Sequence, residues 1–143
     1  MTVFFSKACE LGIQAVLFLS IKKEKVVFNA EEISKELKVP KEFVSKVLQT
    51  LTHKGIVGSK KGKNGGFYLA KNPNNIYLID IIEAIDGDKI FKSCVLGFPG
   101  CSNENPCPVH NKWGRLRDEA YKMFKKESLA QLKEKTVKKI LSL

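Results

Sequence analysis

Residues 29–70 constrain the fold of this chain more than any other stretch, because they predict two short helices and a hairpin in direct succession. Asn29, with Glu32 three residues later, forms a capping box, which is a typical helix start. Pro40 ends that helix and opens the next, since the residue before a proline avoids the helical region. Gly55 ends the second helix. Two short helices joined by a tight turn form a helix-turn-helix motif.

The second predicted helix, which we expect to end at Lys54, has one apolar face and one polar face. The apolar residues recur at helical spacing, so that face should be buried. They are Phe43, Val44, Val47, Leu48 and Leu51. The opposite face carries Lys41, Glu42, Ser45, Lys46, Gln49, Thr50 and His53. Short polar side chains can reach base edges in the major groove of DNA, while lysines mostly meet phosphate.

A hairpin should follow the second helix and turn the motif into a winged helix-turn-helix. Residues 56–59 and 67–70 are predicted strands. Asn64-Gly65 between them is a strong hairpin signal, and the lysines at the tip have no core to join. This wing can therefore contact the DNA backbone or the minor groove.

The chain has a formal net charge of +10 and a pI near 9.5, which suggests a polyanionic partner such as nucleic acid or an acidic membrane surface. Residues 35–71 hold nine Lys against two Glu, so the excess charge is concentrated on the second helix and the wing. A solvated basic hairpin is the bland alternative. We expect double-stranded DNA to be contacted by Lys41, Ser45, Lys46 and Gln49 of the helix and by Lys61, Lys63 and Asn64 of the wing.

Three of the four cysteines lie in residues 94–110, with the spacing C-x6-C-x5-C-x2-H. Thiolates and imidazoles hold soft and borderline metals, and the Gly, Pro, Ser and Asn between them predict an irregular loop that a metal would order. An iron–sulfur cluster takes four ligands, usually Cys. Structural zinc takes Cys3His sets, although zinc ligands usually lie closer together in the sequence. Free or disulfide-bonded cysteines are the third alternative. The candidate ligands are Cys94, Cys101, Cys107 and His110.

Residues 4–22 predict a helix that is apolar nearly all round and therefore mostly buried. Cys9 within it is interpreted as a small core residue, and Glu10 as a residue that is at the solvent edge, paired or ligating. A short strand is predicted at residues 26–28. Neither a signal peptide nor an apolar stretch long enough to span a bilayer is recognisable. We therefore expect a cytoplasmic location, where clustered cysteines bind metal or do redox work.

A short helix through residues 79–85 precedes the cysteine loop, and a long helix is predicted from about Asn111. Ser128 with Gln131 starts a last helix. The long helix has an apolar stripe that exceeds what one small core requires, which indicates a two-fold dimer. The stripe consists of Trp113, Leu116, Ala120, Met123 and Phe124.

No nucleophile–base pair can be identified, so we expect no enzyme activity.

The order of these features resembles the IscR/NsrR-type family of bacterial winged-helix transcription regulators, over essentially the whole chain. The resemblance is carried by Ser6-Lys7 with Glu10-Leu11, by residues 44–49, 65–70 and 79–87, and by the three loop cysteines. It implies a mainly α fold with a small β wing and a long C-terminal dimerisation helix. Residues 1–88 would form the winged helix-turn-helix DNA-binding domain, residues 89–110 the cluster-binding loop, and residues 111–143 the dimerisation helix and the C-terminal helix.

The same resemblance implies a homodimer that binds operator DNA and responds to an iron–sulfur cluster, with 2Fe-2S favoured over 4Fe-4S. Members sense iron–sulfur status, nitric oxide, iron or redox state, and some relatives lack a cluster and work through partner proteins. The first cysteine gap in the family usually has five residues, and here it has six.

The resemblance also leaves two candidates for the fourth ligand. One subtype of the family uses a His after the third Cys, which matches His110, and we expect this ligand. Another subtype uses a carboxylate from the first helix of the partner subunit, which matches Glu10. A small iron–sulfur carrier is the rival function, but it leaves the basic helix-turn-helix and wing unexplained.

Overall fold

The computed structural model of the chain describes residues 4–22 and 25–141, with side chains as far as residue 136. Its order is helix, helix–turn–helix, hairpin, short helix, irregular loop and two further helices. The helices are α1 (Lys7–Ile21), α2 (Ala30–Leu37), α3 (Lys41–His53), α4 (Leu78–Ile85), α5 (His110–Lys126) and α6 (Leu129–Leu141). The strands are β1 (Val57–Lys60) and β2 (Gly66–Leu69). Single 3₁₀ turns occur at Pro73–Asn75 and Lys89–Phe91.

Helix α1 begins three residues later than predicted, because Ser6 caps it. The Ser6 hydroxyl accepts a hydrogen bond from the backbone N–H of Cys9 at 3.0 Å, and its own backbone N–H donates to the Asp86 carboxylate at 2.9 Å. Phe4 and Phe5 therefore precede the helix. The helix lies in the centre of the domain, against α3, α4 and α6. Its interpretation as a mostly buried helix is confirmed, as is Cys9 as a core residue with no exposed surface.

The capping box that starts the helix-turn-helix is present as predicted. The Asn29 side chain accepts from the N–H of Glu32 at 2.8 Å, and the Glu32 carboxylate accepts from the N–H of Asn29 at 3.1 Å. Lys38 ends α2 with a left-handed backbone, φ 58°. Pro40 is the N-cap of α3 rather than its first helical residue. The buried face of α3 consists of Val44, Val47, Leu48 and Leu51, and Phe43 is half-buried.

The predicted wing is present, and its strands lie one residue nearer to the turn than predicted. Both strands are shifted by one residue, and Val57 pairs with Leu69 and Lys60 with Gly66. The turn is closed by the N–H of Gly65 donating to the carbonyl of Gly62 at 3.0 Å. Lys63-Asn64 is therefore the central pair of the turn, and Gly65 of the Asn64-Gly65 hairpin signal is its last residue. Glycine at the last position of such a turn is common in type I geometry.

A backbone bridge ties the wing to the segment before α2. The N–H of Phe28 donates to the carbonyl of Phe67 at 3.0 Å, and the N–H of Phe67 donates back at 2.7 Å. The predicted strand at residues 26–28 is reduced to this single pair, because only Phe28 reaches β2. Gly66 lies against the same segment with φ 150°. A Cβ added there would be 2.3 Å from the Phe28 carbonyl oxygen, so the close approach requires glycine.

Two apolar clusters fill the domain. The larger joins α1, α2, α3 and the wing, and includes Leu129 of α6. The smaller joins Cys9 of α1 to α4 and to Phe91, with Tyr121 and Phe124 of α5 against it. The Phe91 and Tyr121 rings pack edge to face, 5.1 Å apart. A predicted capping box is also confirmed at α6, where the hydroxyl of Ser128 accepts from the N–H of Gln131 at 3.2 Å.

The apolar stripe predicted on α5 divides between two environments. Phe124 packs against Phe5 and Phe91 of its own chain. Leu116 and Met123 are 61% and 54% exposed. The mainly α fold with a small β wing is confirmed. Within the part of the chain that the structure describes, no helix has the length and hydrophobicity needed to cross a membrane.

Replacing Gly66 with Ala should destabilise the domain by about 3 kcal/mol, because the new methyl group meets backbone at the Phe28–Phe67 bridge. Urea unfolding followed by far-UV circular dichroism measures this loss. Gly62→Ala is the matched control, since Gly62 also has a positive φ of 103° but no atom within 4 Å of an added Cβ. It should cost only about 1 kcal/mol of backbone strain. Equal losses for the two variants would contradict the steric argument.

Candidate metal centre and nucleic-acid interface

The cysteine loop brings three thiols together at the start of α5. The sulfur atoms of Cys94, Cys101 and Cys107 all lie within 4.8 Å of one another, and the sulfurs of Cys94 and Cys107 are 3.4 Å apart. All three residues are half-buried. Phe91, which is 8% exposed, anchors the loop entrance in the smaller apolar cluster. The loop therefore holds its ligands at the surface, while its start is fixed in the core.

Local hydrogen bonds fold the loop without regular secondary structure. The N–H of Gly97 donates to the carbonyl of Cys94 at 3.0 Å, and the N–H of His110 donates to the carbonyl of Cys107 at 3.1 Å. Gly97 and Gly100 have φ near 78° and 72°, in the left-handed region. Two such glycines let the chain reverse between the first two cysteines. They also accommodate the sixth residue of this gap.

The two candidate fourth ligands lie in different places. The Nδ1 atom of His110 is 3.2 Å from the sulfur of Cys101, and its Nε2 atom is 2.9 Å from the side-chain oxygen of Asn103. His110 is nevertheless outside the group whose ligand atoms all lie within 4.8 Å of one another. Glu10 is exposed in the first turn of α1. Of the two, His110 is the one that contacts a loop thiol.

The thiols differ in acidity. Burial opposes ionisation of Cys94, but hydrogen bonds from the backbone N–H groups of Phe98 and Leu96 and from the Cys107 thiol lower its pKa to about 7. For Cys107, burial and the neighbouring thiols of Cys94 and Cys101 raise the pKa. In the core, burial and the nearby carboxylates of Asp86 and Glu10 raise the pKa of Cys9 to about 12. Cys94 therefore ionises to a thiolate near neutral pH, whereas Cys9 stays protonated.

One face of α5 fastens the loop through contacts that the sequence analysis did not identify. The indole N–H of Trp113 donates to the carbonyl oxygen of Ser93 at 2.9 Å, and the Arg117 guanidinium donates to the same oxygen at 3.3 Å. From the sequence, Trp113 is assigned only to the apolar stripe of α5. The available signal was the helical spacing of His110, Trp113 and Arg117 on one face.

The donor set suits a metal centre. Bond lengths of about 2.3 Å to sulfur place two thiolates on one tetrahedral ion about 3.8 Å apart, which is close to the Cys94–Cys107 separation. Two thiolates on the same iron of a cluster would lie equally close, but a thiolate on the second iron would lie further away, so a cluster requires one of the three cysteines to move outward. Gly97 and Gly100 have open space around them, which permits this movement. The residues therefore fit a single ion as they stand, and a cluster after a small opening.

A second functional surface combines the polar face of α3 with the wing. Six of the seven residues predicted to contact DNA have exposed side chains, and Ser45 is half-buried. Val44 and Val47 fix the helix by their burial on the opposite side. This surface is separate in sequence from the cysteine loop, which begins after α4. The exposed residues are Lys41, Lys46, Gln49, Lys61, Lys63 and Asn64.

Two further lysines lie beside the wing and were not among the predicted DNA contacts. Lys25 and Lys60 line a groove with Lys63 between the wing and the start of α2. The Lys25 ammonium pairs with the Glu32 carboxylate at 2.5 Å and lies 5.2 Å from the centre of the Phe28 ring. The bridge at Phe28 brings the segment that contains Lys25 to the wing. The sequence signal was positive charge alone, which is common on any surface.

Comparison with protein families and known sequences supports one assignment. The family model Rrf2, described as iron-dependent transcriptional regulator, matches residues 5–135. An Aquifex aeolicus protein classed among HTH-type transcriptional regulators is 36% identical over 132 residues, which cover 91% of each chain. The HTH-type transcriptional regulator IscR of Escherichia coli is 24% identical over 121 residues, 85% of this chain and 74% of that protein.

Two solved structures with the same fold are distant in sequence. CymR, the global cysteine regulator of B. subtilis, has a TM-score of 0.75 at 20% identity and covers 93% of this chain and 98% of its own. IscR of T. potens has a TM-score of 0.73 at 19% identity, and the match covers 95% of this chain and 88% of that protein. These likenesses confirm the arrangement of helices and wing.

Alkylation of the reduced, chelator-treated protein should distinguish its cysteines by pH. Since the thiolate is the nucleophile, the rate for Cys94 should reach half its maximum near pH 7, and that for Cys107 only above the ordinary thiol range. Peptide mass spectrometry after short iodoacetamide pulses measures both rates. Cys9 serves as the internal control and should stay unmodified in the folded protein. Parallel profiles for Cys94 and Cys107 would show that the loop does not hold the described hydrogen bonds.

Proposed function

The chain belongs to the Rrf2 family of transcriptional regulators, and from that premise we propose a homodimeric regulator whose operator binding responds to an iron–sulfur cluster on Cys94, Cys101 and Cys107. It is a DNA-binding transcription regulator and not an enzyme. One observation carries the proposal: three thiols converge in a loop that leads directly into α5. We propose residues 1–88 as the DNA reader, residues 89–110 as the sensor and residues 111–143 as the pairing region.

Operator recognition is assigned to α3 and the wing. Ser45 and Gln49 would read base edges in the major groove, while Lys41 and Lys46 contact phosphate. Lys61, Lys63 and Asn64 of the wing would meet the backbone or the minor groove. Their exposed side chains support this assignment. The regulator would act in the cytoplasm, where the operator DNA of a bacterial chromosome is found.

Dimerisation is assigned to α5. Leu116 and Met123 are large apolar side chains that are more than half exposed, on the helix that follows the sensor loop. Burying them against a second copy would remove this apolar surface from water. A two-fold axis would then pair two α3 helices on successive half-sites of the operator.

The metal is assigned to the three thiolates, with His110 as the fourth ligand. A bound cluster, preferably 2Fe-2S, supplies fixed bonds between parts of the loop that are otherwise joined by weak hydrogen bonds. The imidazole of His110 must be neutral to ligate. Because His110 is also the first residue of α5, its position would set the start of that helix. The loop and α5 would thereby pass the state of the metal to the dimer and its two α3 helices.

A single zinc ion is the second candidate. The grouping of all three sulfur atoms within 4.8 Å of one another favours it, since one tetrahedral ion can hold three thiolates at such separations. Zinc would give a constitutively ordered loop and a regulator without cluster sensing.

Protein purified without oxygen should contain iron and acid-labile sulfide in equal amounts, with visible absorption from sulfur-to-iron charge transfer. His110→Ala should alter the spectrum and speed cluster loss, while Glu10→Ala should leave both unchanged. Elemental analysis, sulfide assay and visible circular dichroism measure these properties. Protein that contains zinc but neither iron nor sulfide would contradict the cluster and support the single zinc ion. An effect of Glu10→Ala alone would move the fourth ligand to the first helix of the partner subunit.

DNA-binding measurements on two variants should distinguish residues that contact phosphate from residues that read bases. With an operator selected from random duplexes, Lys61→Ala should weaken all sequences alike and reduce the salt slope of binding by about one unit. Gln49→Ala should instead reduce discrimination at one base pair by about 1–3 kcal/mol. Fluorescence anisotropy across a salt series measures both effects.

Lys89→Ala removes an exposed lysine outside α3 and the wing and should change neither quantity. An unchanged slope for Lys61→Ala would remove this lysine from the phosphate contacts. Equal losses on operator and random DNA for Gln49→Ala would remove its role in reading bases.

A further inference from the structure

Two cationic side chains line the small cavity between the three thiols, and they are differently engaged. Lys92 and Arg117 both face this cavity, together with His110 and Trp113. The ammonium of Lys92 is paired with the Asp88 carboxylate at 2.7 Å. Arg117 has no such carboxylate in the described ranges, and one of its terminal nitrogens donates to the Ser93 carbonyl. Its charge therefore acts on the thiol cavity, whereas that of Lys92 is largely offset.

The Nε atom of Arg117 is the unused donor of this site. It is buried from solvent, and no hydrogen-bond partner for it lies among residues 4–22 and 25–136. A buried N–H without a partner costs about 1–3 kcal/mol, so such a group usually marks a missing acceptor. The other donors around the cavity are committed: the Trp113 indole to Ser93, and the His110 Nε2 side to Asn103.

The missing acceptor has a definite chemistry. Three deprotonated thiolates bring negative charge into a site of half-buried side chains, whether they hold a cluster or a single ion. Metal-bound sulfur still accepts hydrogen bonds, and such bonds stabilise the charge on the ligand. A guanidinium suits this task because it is always protonated and directs several N–H groups in a fixed plane.

We propose that Arg117 is a positioning residue of the metal centre, whose Nε–H donates a hydrogen bond to metal-bound sulfur while its terminal nitrogen holds the Ser93 carbonyl. This inference rests on the proposed function in assuming a thiolate-bound metal, but it applies to a cluster and to a single ion. Arg117 lies two turns into α5 from His110. The sulfur ligands and α5 are thereby joined at two points, so a change at the metal acts on the helix axis and not only on its first residue.

The test uses cobalt(II) bound to the apo full-length protein, so that it does not depend on cluster assembly. Arg117→Lys keeps the charge without the Nε donor, and Arg117→Met removes both. Each should lower cobalt affinity about tenfold or more, the usual effect of losing a partner of a ligating group. The sulfur-to-cobalt charge-transfer band should also move to longer wavelength, because a thiolate without its hydrogen bond donates charge more readily.

Two controls separate this role from a structural one. Arg115→Lys makes the same change on an exposed part of α5 and should keep affinity within about twofold. Trp113→Phe removes the other donor to Ser93 and should cost less than about threefold without moving the band. Far-UV circular dichroism and sedimentation check that each variant is folded and assembled as the parent protein is.

Three results would overturn the inference. One is Arg117→Lys retaining the parent affinity, since charge rather than the Nε donor would then suffice. Another is Trp113→Phe reproducing the whole loss with an unmoved band, since the Ser93 clamp alone would then explain it. The third is that no variant of Arg117 changes affinity or spectrum. If cobalt binds as expected but the native protein contains no iron or sulfide, the cluster proposal fails while the role of Arg117 stands.

Discussion

The burial of α1 is the constraint on which the rest of the structure depends. This helix is apolar on nearly all sides, so water is excluded only if several elements surround it. Helices α3, α4 and α6 do so, and α2 and the wing complete the enclosure. Leu11 and Val16 face the larger cluster, while Cys9 faces the smaller one. One helix thus fixes the DNA-reading elements and the base of the sensor loop in a single body.

The cysteine loop is stabilised differently, because folding leaves much of its apolar surface exposed. Val95, Leu96 and Phe98 are each more than half exposed. The loop is held at its start, by Phe91 in the core and by the bonds from Trp113 and Arg117 of α5 to the Ser93 carbonyl, and its middle depends on turns and on the thiols. Such a segment has little stability of its own, and a metal bound to its thiols would contribute directly to its order. This property suits a sensor.

Positive charge distinguishes α3 and the wing from the segment of residues 72–110. The lysines of α3 and the wing remain exposed, and the segment of residues 72–110 is locally acidic, with five Asp/Glu against two Lys. A polyanion is therefore attracted to the reading surface rather than to the segment of residues 72–110. Arg117 of α5 brings a positive charge to the cavity between the thiols. The same long helix carries this residue and the exposed Leu116.

The sequence by itself determined what depends on neighbours within a few residues. The capping boxes at Asn29 and Ser128, the stop at Gly55 and the irregular cysteine loop all arise from local hydrogen bonding and backbone preference. The helix-turn-helix, the wing and the candidate thiol ligands could therefore be predicted.

Only the tertiary structure decided which distant groups meet. The bridge of Phe28 to Phe67, the bond from Ser6 to Asp86 and the clamp of Trp113 on Ser93 join residues 20 to 80 positions apart. The same packing settled that Phe124 faces its own core while Met123 stays exposed. Composition and spacing carry little information about such pairs, because many residues have the right chemistry and the packing of helices selects among them. The role inferred for Arg117 depends on this selection, since an arginine on a basic helix is unremarkable until its buried donor is found beside three thiols.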